Sequence, residues 1–224
     1  MRVLRSSRQS IVPAVCAASF LPLVLFAARS FEKPVARPAT NYPAHDFHRD
    51  EKVGVAADPY DNAEKRKIFS TNFEEHGFLP IFFVVTNDGD QPISLASIEI
   101  VLTTQNRSKL TPTSSEDIYR RLSNPQGGTR PNPLPFPTKT KSGINQKTRD
   151  EIETSQFAAK AVEPHGTQSG FLFFDVGGIS SPLRGANIDV TGMADAKGNE
   201  LLYFEIPVDK YLNAPANPQP QSPL

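Results

Sequence analysis

The sequence predicts an all-β domain, and three stretches carry that prediction. Leu79 to Val85 is an apolar run closed by Asn87-Asp88-Gly89-Asp90, and it restarts at Pro92-Ile93-Ser94-Leu95. Val, Ile and Phe suit a pleated, buried surface, and Asp-Gly supplies the positive φ values of a tight turn. Ser97 to Thr103 alternates with Ile98, Ile100 and Leu102 on one face, the period of a half-buried strand. Gly170 to Val176, GFLFFDV, is a second strong apolar run. It is followed by the alternation of Ile188 and Val190 and by a hairpin, Asp195 to Asn199, leading into Leu201 to Ile206.

The remaining segments fit around these strands. Residues 31–51 have spaced prolines, mixed charge and no period, and are expected to form a tether. Lys52 to Ala57 alternates weakly, with Val53 and Val55 inward, and ends at the turn signal Asp58-Pro59-Tyr60-Asp61. Asn62 to Lys67 suits one helical turn capped by Asp61, and Ile68 to Phe73 reads as a second strand. Thr113-Ser-Ser-Glu116 forms a capping box before Ile118, Tyr119 and Leu122, which places a short helix at 114–123. Residues 124–144 hold five prolines and three glycines, the composition of a long mobile loop. Asn145 to Ala161 reads as a helix with Asp150, Glu151 and Glu153 in its first turns. Glu163 to Gly166 is a turn, and residues 213–224 are a polar, disordered tail. Seven to eight strands with two short helical insertions indicate a β-sandwich of immunoglobulin type spanning residues 52–212, with an insertion at 106–149.

The amino terminus has the layout of a targeting segment. Arg2, Arg5 and Arg8 precede an uncharged, mostly apolar run from Ile11 to Ala28, and no acid occurs before Glu32. Ala28-Arg29-Ser30 offers small residues for cleavage before Phe31. Residues 1–30 are therefore expected to be a signal peptide or an uncleaved membrane anchor that exports the remainder to the periplasm or cell envelope. The lone Cys16 lies early in the apolar run behind Pro13-Ala14-Val15 and reads as a residue of that run rather than a lipidation site. Without it the chain has no thiol for disulfides, nucleophilic catalysis or thiolate metal binding.

Two patterns together carry a resemblance. Asn87-x-Gly89-x-x-Pro92-Ile-x-Leu95 follows the first apolar run, and Val162-x-Pro164-x-Gly166 leads into Gly170 to Val176. Over roughly residues 52–212 the chain resembles the immunoglobulin-like domain of bacterial exported proteins and lipoproteins. The wording DPYDNAEKRKIF and TNDGDQPISL is similar to a group of uncharacterised exported proteins of acidobacterial type. The resemblance implies a structural scaffold of turns and core and brings no catalytic residues. The chain departs from the pattern in its insertion at 106–149 and in the residues before Cys16.

Candidate chemistry is sparse. His45, Asp46, His48 and Asp50 include donors that suit zinc or copper, but a site needs three or four fixed ligands. Two histidines at i, i+3 without a third spaced partner are better explained as part of a polar tether. Asn87-Asp88-Gly89-Asp90 has half of a calcium loop and lacks the downstream glutamate. Asn106-Arg107-Ser108 matches a glycosylation acceptor by chance. No nucleophile elbow, zinc-protease or nucleotide-binding motif is present, none of the four histidines sits beside a nucleophile pattern, and His165 reads as a turn residue. The expectation is a protein that is not an enzyme and needs no cofactor.

Charge gives the one functional lead. Arg107, Lys109, Arg120, Arg121, Arg130, Lys139, Lys141, Lys147 and Arg149 stand in residues 106–149 against two acids, Glu116 and Asp117, a net of +7. Residues 31–224 carry twenty basic and 24 acidic side chains, so the rest of that portion is −11. Such asymmetry steers an anionic partner, such as a membrane surface, an acidic polysaccharide or another envelope protein. Nucleic acid is excluded by the expected compartment and by the scarcity of stacking aromatics in the insertion. The expected role is an accessory or binding module of the envelope, with a periplasmic metal-binding protein, an enzyme or a purely structural envelope protein as the alternatives.

Overall fold

The computed structural model describes residues 31–123 and 144–214. The leader read at 1–30 lies outside the described residues, as do residues 124–143 of the loop read at 124–144 and residues 215–224 of the tail read at 213–224. The strands are β1 (Ala44–His48), β2 (Val53–Pro59), β3 (Phe78–Asn87), β4 (Ile93–Ser94), β5 (Glu99–Thr103), β6 (Lys109–Leu110), β7 (Ala161–Val162), β8 (Gly166–Asp175), β9 (Asn187–Thr191) and β10 (Phe204–Pro207). The helices are α1 (Ala63–Arg66), α2 (Ser115–Ser123), α3 (Gln146–Ser155) and α4 (Asp209–Leu212). The described residues thus form ten strands against the seven to eight expected: β1, β6 and β7 are added, and the strand expected at 68–73 does not form.

Among the described residues every pairing between named strands is antiparallel, and one isolated bridge, Gln156 to Phe171, is parallel. One sheet runs β1-β2-β3-β8, another β10-β9-β5-β6, and β4 pairs with β7. The two larger sheets enclose a common core. Val53, Val55, Phe83 and Val85 of the first meet Ile100, Leu102, Ile188, Val190, Phe204 and Ile206 of the second. On β5 the alternation is as the sequence predicts, with Ile100 and Leu102 buried and Glu99 exposed.

The first sheet is buried on its other face as well. Ala56, Phe82, Val84, Phe171 and Phe173 form a second cluster with Tyr60, Phe69 and Phe73, covered by Ile118 and Tyr119 of α2 and Ile152 of α3. This explains why β3 has no period. All ten of its residues are buried, as expected for a strand with no wet face. Phe83, Val85, Ile100, Phe171, Phe173 and Phe204, which strand position marks as core candidates, are all buried, but they divide between the two clusters.

Several local expectations are corrected. The expected tether contains β1, which pairs in full register with β2 from Ala44↔Ala57 to His48↔Val53. Ala39 and Tyr42 are buried, and Phe31 stacks on Phe69 with centroids 5.4 Å apart. The ordered domain therefore begins well before residue 52. β1 escapes a pattern reading because its edge position leaves four of its five residues half-exposed. Ile68 to Phe73 is no strand, and Phe69 and Phe73 instead insert into the outer aromatic cluster.

Helix ends also move. Asn62 rather than Asp61 caps α1, accepting from the Lys65 N–H at 3.0 Å. The cap of α2 is Ser114 with Asp117, one residue along from the expected box. α3 starts at an Asn145 cap and stops at Ser155, because the Phe157 N–H donates to the Phe171 carbonyl at 3.0 Å and the chain leaves the helix along β8. Glu151 is therefore mid-helix and buried. Its carboxylate accepts from the Ser70 N–H (2.9 Å), the Thr71 N–H (3.1 Å) and the Ser70 hydroxyl, which fastens α3 to the 70–71 turn. Buried carboxylates require such partners. The final strand begins at Phe204 rather than Leu201, leaving Leu202 and Tyr203 exposed.

Candidate functional site

A cleft of about 550 Å³ opens beside the start of β3 and the end of β8. Its floor is Phe78, Leu79 and Pro80 with Val176, Ile179 and Leu183, and Leu212 of α4 forms part of its lip. Local backbone shape makes the opening. Gly77 has φ +79° and lies so close to Gly177 that a Cβ would sit 3.2 Å from its Cα, and the Val176 N–H donates to the Gly77 carbonyl at 2.8 Å. Beyond Gly178 (φ +79°) the chain folds into a turn at Ser181, a non-glycine residue at φ +53°. That turn is closed by the Arg184 N–H donating to the Ser181 carbonyl at 3.2 Å. The next residue is pinned to α4, where the Gly185 N–H donates to Asp209 Oδ1 at 2.8 Å.

Four charged residues line the cleft: Asp61, Arg66, Glu74 and Arg184. Arg66 is held by Glu74 at 2.6 Å and donates to the Asp61 carbonyl at 2.6 Å. The Asp61 carboxylate accepts from the Tyr211 hydroxyl at 2.6 Å. Arg184 is exposed and has no ion pair among the described residues. Behind this wall Lys65 donates to Asp58 Oδ1 (2.6 Å), the Pro59 carbonyl (2.9 Å) and the Tyr211 hydroxyl (3.2 Å), and it lies 4.3 Å from the Tyr211 ring centroid. Burial pushes the Asp58 carboxyl above its ordinary range, with Lys65 opposing. Burial and then the bond to Asp61 push the Tyr211 hydroxyl well up. Lys65 thus fastens α4 to β2, and the cleft offers an apolar floor, hydrogen-bonding groups and, in Arg184, a cation with no ion pair among the described residues. No local signal reveals the network, since Asp61 and Tyr211 are 150 residues apart.

The six described members of the expected basic set lie on β6 and the turn before it, on α2 and on α3. Lys109 is exposed on the edge strand β6, and Arg107 precedes it at φ +61°. On α2, Arg120 pairs with Asp117, while Arg121 pairs with Asp175 and lies 5.6 Å from the Phe78 ring at the margin of the cleft. On α3, Lys147 is exposed, whereas Arg149 lies 4.8 Å from the Tyr119 ring. Burial and the 2.9 Å bond to Glu153 push the Tyr119 hydroxyl up to about 12. Arg130, Lys139 and Lys141 lie outside the described residues. Within the insertion, Ile118 of α2 is fully buried against the first sheet.

His45 and His48 cannot act as a pair. Three residues apart on β1, they point to opposite faces. His45 Nδ1 contacts the Tyr42 carbonyl at 2.5 Å. His48 stacks on Phe204 at 3.9 Å between Glu51 (2.8 Å) and Asp46 (3.4 Å). Those carboxylates in turn accept from the Leu202 and Glu205 N–H groups, joining β1 to the β10 side of the second sheet. Among the described residues no group of three or more His, Cys, Asp or Glu could hold a metal ion. The Asn87 turn is structural. Asn87 Nδ2 donates to the carbonyls of Gln91, Val162 and Glu163, and Oδ1 accepts from the Gly89 N–H. His165 occupies its turn at φ +53°.

No family model and no curated protein matches the chain. A crystal structure of a conserved hypothetical protein from Bacillus anthracis is similar at 10% identity, covering 70% of this chain and 95% of that one, with a TM-score of 0.30. A TM-score that low establishes no shared fold. Among the described residues no helix is long and apolar enough to cross a membrane.

Proposed function

We propose that this chain is an exported protein of the cell envelope, an immunoglobulin-like β-sandwich that binds rather than catalyses, with the cleft beside Leu79 and Val176 as its binding site. The observation that carries the reading is the cleft itself. Its volume is in the range of small-molecule sites, and it joins an apolar floor to a few placed polar groups on loops at one end of a rigid sheet. Export rests on the Arg2, Arg5 and Arg8 cluster and the apolar run after it. The test is a titration of the purified chain with phenylnaphthylamine, a neutral dye that brightens in apolar sites. One saturable site is expected. Leu212→Glu, at a half-exposed lip position, should weaken it roughly tenfold, the order set by losing one apolar contact, with an unchanged circular dichroism spectrum. A linear response, or equal binding by the variant, would leave a structural envelope protein without a ligand at this cleft.

A second reading is favoured by one observation: Arg107, Lys109 and Lys147 are exposed and have no ion pair among the described residues. These residues, with Arg130, Lys139 and Lys141, suit contact with an anionic envelope component. Exposed charges act together at long range and are screened over about 8–10 Å at physiological salt. Binding to phosphatidylglycerol vesicles should therefore fall steeply between low and physiological salt. The triple change of Arg107, Lys109 and Lys147 to Ser should reduce it further. Salt-independent binding, or identical binding by parent and variant, removes this role.

A further inference from the structure

We infer that the cleft selects small amphipathic anions, with Arg184 as the group that receives the anionic head and Leu79, Val176 and Leu183 as the surface for the apolar body. The inference rests on the proposed binding role of the cleft and adds the chemistry of the ligand.

The argument starts from the charges that line the cavity. Arg66 is neutralised by Glu74, and its second amino group is occupied by the Asp61 carbonyl. The Asp61 carboxylate is engaged by the Tyr211 hydroxyl. Arg184 is left as the lining cation with no carboxylate within ion-pair distance among the described residues. Its backbone is held on both sides. The Arg184 N–H donates to the Ser181 carbonyl, the Gly185 N–H to Asp209, and the Ala186 N–H to the Leu183 carbonyl at 3.3 Å. Ser181 keeps a left-handed conformation that costs a non-glycine residue conformational energy. That cost is met because the turn is fixed by its neighbours, which is how strained turns occur at binding sites.

A guanidinium on a fixed turn beside an apolar floor is a ready receptor for a carboxylate or sulfonate carrying a hydrocarbon body. Arginine presents a planar fork of donors that matches a carboxylate. The apolar floor contributes affinity without direction, and the cation supplies selection by charge. A cationic amphiphile would meet Arg66 and Arg184, and the lining acid outside an ion pair among the described residues, Asp61, is turned to the Tyr211 hydroxyl. A neutral one would leave Arg184 unpaired.

Decanoate and decanol, which share their chain and differ in the head, test this by calorimetric titration of the full chain. Decanoate is expected to bind at one site at least tenfold more tightly than decanol, the order of a hydrogen bond to a charged group. Arg184→Gln should bring decanoate down to the affinity of decanol and leave decanol unchanged. Arg184→Lys should restore part of the preference, because it returns the charge without the fork. If decanol binds as tightly as decanoate, or Arg184→Gln keeps the preference, selection by Arg184 is overturned while the cleft remains a binding site. If neither saturates, the inference and the binding role of the cleft fall together.

Discussion

Replacing Phe173 with alanine is expected to destabilise the domain by about 3–5 kcal/mol, the range for removing a buried aromatic ring. Phe173 is fully buried in the outer cluster of the first sheet. Its ring lies 4.6 Å from Phe73, 6.2 Å from Phe69 and 6.4 Å from Phe171, centroid to centroid. Its carbonyl accepts from the Thr113 N–H at 2.7 Å, where the chain approaches α2. The cavity would open between a sheet and the segment 68–76, which is held by Phe69 and Phe73 together with the Glu151 bonds to Ser70 and Thr71. Urea unfolding measures the loss, with Leu202→Ala as the exposed reference, at which a change within about 0.5 kcal/mol is expected. A loss at Phe173 below about 1 kcal/mol would show that the outer cluster does not hold the sheet.

Gly192→Ala should cost about 3 kcal/mol or more, from a conformational and a steric term acting together. Gly192 has φ +75°, and a Cβ there would lie 2.0 Å from the Ser97 carbonyl oxygen. That oxygen belongs to backbone, so no side-chain rotation relieves the clash. The displaced chain would be the segment leading from β9 to the Ser94–Ala194 bridge, where two N–H···O bonds of 2.8 and 3.1 Å join β4. Gly198 separates the two terms. It also has positive φ, +84°, but nothing lies within 4 Å of its Cβ position. Gly198→Ala should therefore show only the left-handed cost of about 1–2 kcal/mol. Thermal unfolding of the two variants side by side reads the difference. Equal losses would mean that the approach of Gly192 to Ser97 is looser than described.

The strands were legible where a short-range rule applies. Side-chain alternation placed β5 and β9, unbroken apolar runs placed β3 and the second half of β8, and turn chemistry placed the breaks at Asn87 to Asp90 and Asp195 to Asn199. Those rules act within a few residues, so one sequence suffices to read them. The Asn87-x-Gly89 pattern was likewise readable as a turn. Only the fold shows Asn87 also reaching across to the carbonyls of Val162 and Glu163.

Tertiary packing decided the rest. β1 is a strand because β2 offers it an edge, not because its own pattern demands one. Phe69 and Phe73 alternate like strand residues, yet the open outer face of the first sheet takes them as loop anchors. The basic insertion looked like one charged unit, and its ion pairs with Asp117 and Asp175 divide it. The cleft had no signature at all, because Asp61, Arg66, Leu79, Val176, Arg184 and Leu212 come from four separate segments, 60–66, 74–80, 176–184 and α4. Backbone preference and side-chain period are local energies and leave a local trace. Which unpaired cation faces which apolar floor depends on packing between residues up to 150 positions apart, and no local energy term encodes that meeting.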